Sequence, residues 1–158
     1  LPMNTVRLDQ CAFVAWRNGG GRTRELLAWP SAADWQVRVS IAEIEADGPF
    51  SAFAGIDRCF AVLEGAGVVL SLPAGERRLT AGDDAAAFPG EAAPMCRLID
   101  GPTRDLNLMV RRGAGTASMQ RKPASGARWH GVFADGILHW SDNPLEALPS
   151  VTGWYLSV

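Results

Sequence analysis

The chain has 158 residues, of which 47% are hydrophobic and 20% charged, and its formal net charge is −2. This length and composition are sufficient for one hydrophobic core, so we expect a single domain over residues 1–158. The slight negative charge, without a run of basic residues, argues against direct nucleic-acid binding, and no apolar run approaches the roughly 20 residues of a membrane helix.

The first predicted strand covers residues 35–42. Apolar residues alternate with mostly polar ones along this segment, from Trp35 to Ala42. A period of two is typical of a β-strand with one buried face. Arg38 and Ser40 are two residues apart, so they share a face of this strand.

Residues 58–80 predict hairpins. Segments 58–63 and 68–72 flank the turn-like residues 64–67, and segment 76–80 follows the turn-like residues 73–75. Short apolar runs separated by glycine and proline are typical of antiparallel strands that follow one another along the chain.

A second alternating strand is predicted over residues 105–111. Leu106, Leu108 and Val110 lie on one face, and the opposite face is more polar. We expect residues 116–127 to form a loop and residues 130–158 to add further short strands. No segment longer than about 12 residues has the apolar spacing of an amphipathic helix, so the sequence predicts an all-β sandwich or barrel with little helix.

The segment W-R-N-G-G-G-R-T, residues 16–23, is the most unusual in the chain. Three consecutive glycines are conformationally costly unless the backbone needs positive φ or must approach another group closely. The spacing is not that of a phosphate-binding loop. A flexible hairpin turn and a ligand-approaching backbone both explain the glycines, and the flanking Trp16, Asn18 and Thr23 favour a binding role.

Residues 47–58 predict a long turn that leads into a strand. Phe50 and Phe53 suit an Ω-like loop with both rings packed inward. Asp57 and Arg58 are adjacent in sequence, so on a strand they point to opposite faces, and at most one of them can face a pocket.

Five motifs together resemble the HutD/Ves family. They are W-R-N-G-G-G-x-T at 16–23, R-V-S-I-A at 38–42, D-G-P-F-S at 47–51, G-I-D-R at 55–58 and D-L-N-L-M-V-R-R at 105–112. Val37 replaces a tryptophan expected before the arginine, and Ala54 replaces a proline expected before the glycine. The resemblance implies a cupin-like fold, commonly described as a two-part β-barrel or bicupin arrangement. It also implies an association with bacterial histidine utilisation or, in the Ves branch, with stress response.

The resemblance implies a ligand pocket but no catalytic residue. The matched positions that we expect to line this pocket are Trp16, Asn18, Thr23, Arg38, Ser40, Asp57, Arg58, Asn107, Met109 and Arg111.

The main hypothesis is a protein that binds a small anionic metabolite and has a regulatory role in histidine utilisation. Arg38 and Arg111 are expected to hold carboxylates, because a guanidinium can bind a carboxylate through two parallel hydrogen bonds. Asn18 and Asn107 are expected to bond an amide-like group. Trp16 and Met109 are expected to form apolar walls. N-formylglutamate, a histidine-breakdown intermediate with two carboxylates and a formamide, is the candidate ligand.

Two other functions remain open from the sequence. One is a metal-free cupin enzyme, an isomerase or hydrolase of a small carboxylic acid, with Asp57 or Asp105 as general base. The other is a scaffold in which the motifs only build hairpins. A homodimer is compatible with either. The chain shows no charged and apolar leader, so the expected location is cytoplasmic.

The histidines and cysteines argue against a metal or other cofactor. His130 and His139 are nine residues apart, without the H-x-H pair and third histidine of metal cupins. Cys11, Cys59 and Cys96 contain no C-x-x-C pair, so we expect them to be reduced rather than to form a disulfide framework.

We predict that the protein is independent of metal. Elemental analysis of purified protein should find much less than one metal ion per chain. One iron, zinc or manganese per chain, lost on substitution of His130 or His139, would contradict this prediction.

Overall fold

Strands make up nearly all the regular structure of residues 3–158, the part of the chain that the computed structural model describes. The helical segments there are two short 3-10 turns, Leu8–Gln10 and Gly90–Ala92, and no helix is long and apolar enough to cross a membrane. The strands are β1 (Asn4–Arg7), β2 (Phe13–Ala15), β3 (Gly21–Trp29), β4 (Val37–Ile44), β5 (Gly48–Pro49), β6 (Ile56–Glu64), β7 (Val68–Leu72), β8 (Gly75–Leu79), β9 (Ala86–Pro89), β10 (Met95–Leu98), β11 (Thr103–Arg111), β12 (Ser118–Gln120), β13 (His130–Ala134), β14 (Ile137–Ser141) and β15 (Trp154–Ser157).

These strands form three antiparallel sheets. A six-stranded central sheet has the order β2-β3-β4-β11-β6-β9. A five-stranded sheet has the order β1-β14-β13-β15-β12, and a four-stranded sheet has the order β5-β10-β7-β8. Side chains of the central sheet belong to both hydrophobic cores of the protein, one shared with each of the other sheets. The central sheet is therefore a middle layer.

The first core follows directly from the alternation in β4 and β11. Val39 and Leu108 are cross-strand partners, and both are buried completely. Together with their neighbours two residues away, they pack against the five-stranded sheet and its flanking segment, including Trp129, Leu138 and Leu156. Burial of these side chains supplies the main driving force that joins the two sheets.

The second core lies on the opposite face of the central sheet. Phe60 and Val62 of β6 pack there with Leu70 and Cys96 of the four-stranded sheet. The four-stranded sheet covers only part of this face. The remainder, around Arg38 and Ser40, forms one wall of a cavity.

The sequence predictions of an all-β structure and of little helix are confirmed. The two alternating segments are β4, shifted by two residues, and β11, which begins two residues earlier than predicted and ends at Arg111, and the hairpin of β7 and β8 also forms. The C-terminal strands are β13, β14 and β15, while the predicted loop 116–127 contains the short strand β12, which pairs with β15.

The predicted hairpin between β6 and β7 is wrong. β6 pairs with β11 and β9, whereas β7 pairs with β10 and β8 in another sheet. Phe60 and Val68, each completely buried, belong to the same core between these sheets. Gly67 makes the crossing possible, because at its φ of +105° a Cβ would lie 2.2 Å from the carbonyl oxygen of Leu79.

Candidate ligand-binding site

A cavity of about 550 Å³ opens beside the uncovered part of the central sheet. This volume suits a small metabolite. Strand pairing brings its wall together, because Ser40 is the cross-strand partner of Asn107, and Arg38 that of Met109. Eight of the ten residues expected from the sequence line the cavity: Trp16, Asn18, Thr23, Arg38, Ser40, Arg58, Asn107 and Met109.

The floor of the cavity is a buried chain of three polar side chains. Arg58 Nη2 donates to Asn107 Oδ1 at 2.8 Å, and Asn107 Nδ2 donates to Asp105 Oδ1 at 2.6 Å. Arg58 and Asn107 are each 5% exposed, and Asp105 is 1% exposed. Asn107 therefore links Arg58 to Asp105, which leaves it less free to bond an amide-like ligand group than the sequence suggested.

Three polar atoms of these linked side chains have no hydrogen-bond partner among residues 3–158. They are Nε and Nη1 of Arg58 and Oδ2 of Asp105. Buried polar atoms in native proteins are nearly always bonded, and an unmet one costs about 1–3 kcal/mol, more when the group is charged. Both Arg58 and Asp105 line the cavity.

The surroundings of Arg58 are aromatic. The rings of Phe50, Phe53 and Phe88 have their centroids 5.2 to 5.5 Å from the guanidinium carbon. Burial lowers the pKa of Arg58 to about 10, an effect that Asp105 opposes and Arg38 reinforces. The guanidinium consequently remains protonated at neutral pH, and the rings replace part of its lost hydration.

The pKa of Asp105 is shifted in the direction expected of a buried acid. Burial raises its pKa well above the usual range, and the opposing influences are the charge of Arg58 and a hydrogen bond from the backbone of Ala42. Loss of hydration destabilises the carboxylate by more than the guanidinium of Arg58 stabilises it, because the amide of Asn107 lies between the two groups. The structure therefore stabilises the neutral form of this acid.

An ion pair lies at the mouth of the cavity. Arg38 Nε is 2.9 Å from Glu25 Oε1, and the Arg38 side chain is 24% exposed. Nearby, Trp16 Nε1 donates to Thr23 Oγ1 at 2.7 Å, which holds the indole against the cavity. The mouth thus combines an accessible guanidinium with an aromatic wall.

The glycine segment forms the turn between β2 and β3. Gly19 has a φ of +74°, and the backbone N–H of Gly20 donates to Asn18 Oδ1 at 2.8 Å. A Cβ on Gly21 would lie 2.5 Å from the carbonyl oxygen of Glu43 and 2.9 Å from the ring of Trp16. These glycines allow the chain to pack closely against β4, and Trp16, Asn18 and Thr23 near them line the cavity.

Residues 50–55 form the outer wall of the cavity. Phe50, Ser51 and Phe53 contribute to its lining, so the two rings of the predicted Ω-like loop face the cavity. The backbone N–H of Gly55 donates to Glu91 Oε2 at 2.9 Å, and Glu91 in turn is bound by Arg112. Arg112 together with the Gly55 N–H lowers the pKa of Glu91 to about 2. These bonds fasten the wall to the adjoining 3-10 turn and to the end of β11.

Two residues expected at the site lie outside the cavity. Asp57 is on the opposite face of β6 from Arg58, where it binds Arg112 at 3.0 Å. Arg111 lies beyond the cavity at the end of β11, where it binds Asp34. The two arginines that share the cavity are accordingly Arg38 and Arg58.

The sequence missed several residues of the lining. Asp105 is on the same face of β11 as Asn107 and Met109, and this alternation was the available signal for a role in the pocket. Glu25 follows Thr23 by two residues on β3, which is the same kind of signal. Ala42 follows Ser40, and Val14 precedes Trp16, by the same two residues, whereas no comparable pattern marks Arg17, Pro49 and Ser51.

Neither histidine lines the cavity. His130 and His139 lie on β13 and β14 of the five-stranded sheet, and His130 Nε2 is 3.1 Å from the carbonyl oxygen of Asn143. Within residues 3–158, no group of three His, Cys, Asp or Glu side chains could hold a metal ion. The cysteines are free thiols, and burial raises the pKa of Cys59 to about 11 and that of Cys96 to about 12.

The fold is that of a cupin-like protein. The cupin domain of Cnp3 from Schizosaccharomyces pombe superimposes with a TM-score of 0.52 at 13% identity, over 66% of this chain and 71% of that one. At this low identity the likeness concerns the fold alone, and it confirms the cupin-like class predicted from the sequence.

Within this class, the chain belongs to the HutD family, whose sequence profile matches residues 9–141. The structure of HutD from Pseudomonas fluorescens SBW25 superimposes with a TM-score of 0.81 at 27% identity, over 99% of this chain and 94% of that one. The family is associated with histidine utilisation.

Curated relatives agree with this assignment. An uncharacterized 21.2 kDa protein encoded in the hutC 3' region of Pseudomonas putida is 41% identical over 109 residues, which are 68% of this chain and 57% of that protein. Protein Ves from Cronobacter sakazakii is 36% identical over 146 residues, 89% of this chain and 80% of that protein. The match thus spans little more than half the length of the Pseudomonas putida relative.

We predict that Asp105→Asn stabilises the protein more at pH 7.5 than at pH 4.5. The unfolded carboxyl ionises near pH 3.9, whereas the folded protein keeps it neutral to higher pH. Between these two pKa values the folded state holds the additional proton, so stability falls as pH rises, and the amide removes this loss. Thermal melts at both pH values measure the effect.

Asp57→Asn is the matched control, since it makes the same carboxyl-to-amide change on the other face of the sheet. It should not show a gain that grows with pH. A larger loss of stability in Asp105→Asn at pH 7.5 than at pH 4.5 would mean that the folded state favours the carboxylate instead.

Proposed function

We propose that the cavity binds a small anionic metabolite without a metal, and that this binding serves a regulatory role in histidine utilisation. The observation that carries the proposal is the buried guanidinium of Arg58, whose Nε and Nη1 have no partner among residues 3–158. An anion is the group that best satisfies such donors, because it supplies acceptor oxygens together with the opposite charge.

Arg58 is otherwise difficult to explain. A cation taken out of water is costly unless it is paired and fully hydrogen-bonded. Its bonded partner in the protein is the neutral oxygen of Asn107, while Asp105 lies one amide group further away. A bound anion would supply the missing charge and the missing acceptors together.

Arg38 provides a second site for an acidic group. Its guanidinium is at the mouth of the cavity and is paired with Glu25, which is itself 45% exposed on its side chain. Exposed ion pairs contribute about 0–1 kcal/mol, so a ligand carboxylate can replace Glu25 at small cost. A ligand with two carboxylates can therefore bind Arg58 at the floor and Arg38 at the mouth.

N-formylglutamate is the candidate that fits this arrangement. Its two carboxylates match the two arginines, and its formamide can bond polar groups of the wall, among them Asn18 and Ser40. Urocanate has one carboxylate and would leave one arginine without an anion. We expect the diacid to be favoured by about 1–3 kcal/mol, the cost of a missing partner at such a site.

The proposal predicts distinct effects of three arginine substitutions. Arg58→Met should abolish binding of N-formylglutamate, glutamate and urocanate, because each needs the floor guanidinium. Arg38→Met should weaken the two diacids more than urocanate, with thermal stability nearly unchanged. Arg111→Met, the matched control outside the cavity, should bind all three like the unmodified protein. Isothermal titration calorimetry measures each affinity.

Two results would count against this assignment. Tighter binding of urocanate than of N-formylglutamate would exclude the binding of one ligand carboxylate by Arg58 and of a second by Arg38. If none of the three compounds binds with a Kd below millimolar concentration, the link between the cavity and histidine breakdown loses its support, and a scaffold role is favoured.

A metal-free enzyme is the second candidate function. The observation that favours it is Asp105, an acid with a raised pKa and a free oxygen in a cavity that also holds a cation. Such a group can act in general acid–base catalysis. Asp57 does not share this role, since it is bound to Arg112 outside the cavity.

Turnover separates the enzyme from the binder. Proton NMR of N-formylglutamate incubated with the protein should show the compound unchanged over hours if the site only binds. Conversion that is lost in Asp105→Ala and retained in Asp57→Asn would establish the enzyme.

A further inference from the structure

The bond network of the cavity floor determines which oxygen of Asp105 is free. A guanidinium only donates hydrogen bonds, so the atom of Asn107 that meets Arg58 must be its carbonyl oxygen, at 2.8 Å. The amide nitrogen of Asn107 must then meet Asp105, and the Asp105 oxygen at 2.6 Å from it must accept. Any proton on Asp105 is consequently carried by Oδ2, the buried oxygen without a partner.

A bound anion changes the charge balance around this oxygen. In the protein alone, Arg58 is the main group that favours the Asp105 carboxylate. A ligand carboxylate bound to Arg58 would share that guanidinium with Asp105. Two carboxylates in one poorly hydrated site do not both remain ionised, because their repulsion raises one pKa strongly.

Other charged or titratable groups do not offset this repulsion. Cys96 of β10 is a neutral thiol, since burial and the nearby Asp105 raise its pKa to about 12. Glu25 of β3 lines the same cavity and adds to the negative charge. Positive charge at the mouth comes from Arg38, already paired with Glu25, and from the exposed Arg17.

We infer that Asp105 meets the bound anion as a neutral acid whose Oδ2–H donates to the anion alongside the guanidinium of Arg58. This inference rests on the proposed function. The proton comes from solvent when the ionised acid binds the ligand, and no other bond is made or broken. Asp105 is thus a specificity-determining residue that selects an anion able to accept at this point, and it makes binding weaker as pH rises.

Two substitutions of Asp105 test this inference, with glutarate and N-formylglutamate as probes. Asparagine reproduces the neutral acid, because its carbonyl can accept from Asn107 while its amide donates where Oδ2–H did. Alanine removes the donor. At pH 5.5 we expect Asp105→Ala to bind both probes roughly ten- to a hundredfold more weakly than the unmodified protein, and Asp105→Asn to restore the affinity.

The pH profile provides the readout that a purely structural role would not change. Titrations between pH 5.5 and 9 keep Arg58 protonated, since its pKa is about 10. The unmodified protein should lose affinity relative to Asp105→Asn as pH rises, with proton uptake detectable in buffers of different ionisation enthalpy. A constant ratio between the two would contradict the inference, because a purely structural role predicts the same result. Asp57→Asn should follow the unmodified protein.

Three further results would overturn the inference while leaving the proposed function intact. They are an asparagine variant as weak as alanine, an alanine variant as strong as asparagine, and an affinity of the unmodified protein that rises with pH relative to asparagine. If Asp105→Ala does not fold, the pH profiles of the other two proteins decide. Failure of the unmodified protein to bind either probe would instead reject the proposed function, and this inference with it.

Discussion

Successive side chains leave a β-strand on opposite sides, and the central sheet depends on this alternation. On β4 and β11, one set of positions forms the core against the five-stranded sheet, and the other set faces the cavity. Because every second residue must serve each environment, the polar wall cannot slip by one residue without exposing Val39 and Leu108. The stability of the core thereby holds the geometry of the binding site.

The buried polar side chains of the cavity floor lower the stability of the folded protein. Arg58 and Asp105 are nearly completely buried, are linked through Asn107, and have atoms without partners among residues 3–158. Two apolar cores, one on each face of the sheet, offset that cost. Buried polar groups that lower the stability of the free protein are typical of functional sites, where binding is favoured over maximal stability.

Membership of the HutD family and the geometry of the cavity address different questions. The family connects the chain to histidine utilisation. The cavity argues for the chemistry of the ligand: a carboxylate at Arg58, a second acidic group near Arg38, and an aromatic wall at Trp16. These properties would remain informative about the ligand even if the biological context differed between branches of the family.

The sequence by itself determined what depends on neighbouring residues. Alternation identified β4 and β11 and placed Arg38 with Ser40 and Asn107 with Met109, while five ordered motifs identified the family. Only the tertiary structure decided that Arg58 rather than Arg111 shares the cavity with Arg38, and that β6 and β7 belong to different sheets. These features depend on strand pairing across long separations and on where one sheet ceases to cover another, and such relations have no local signal in the chain.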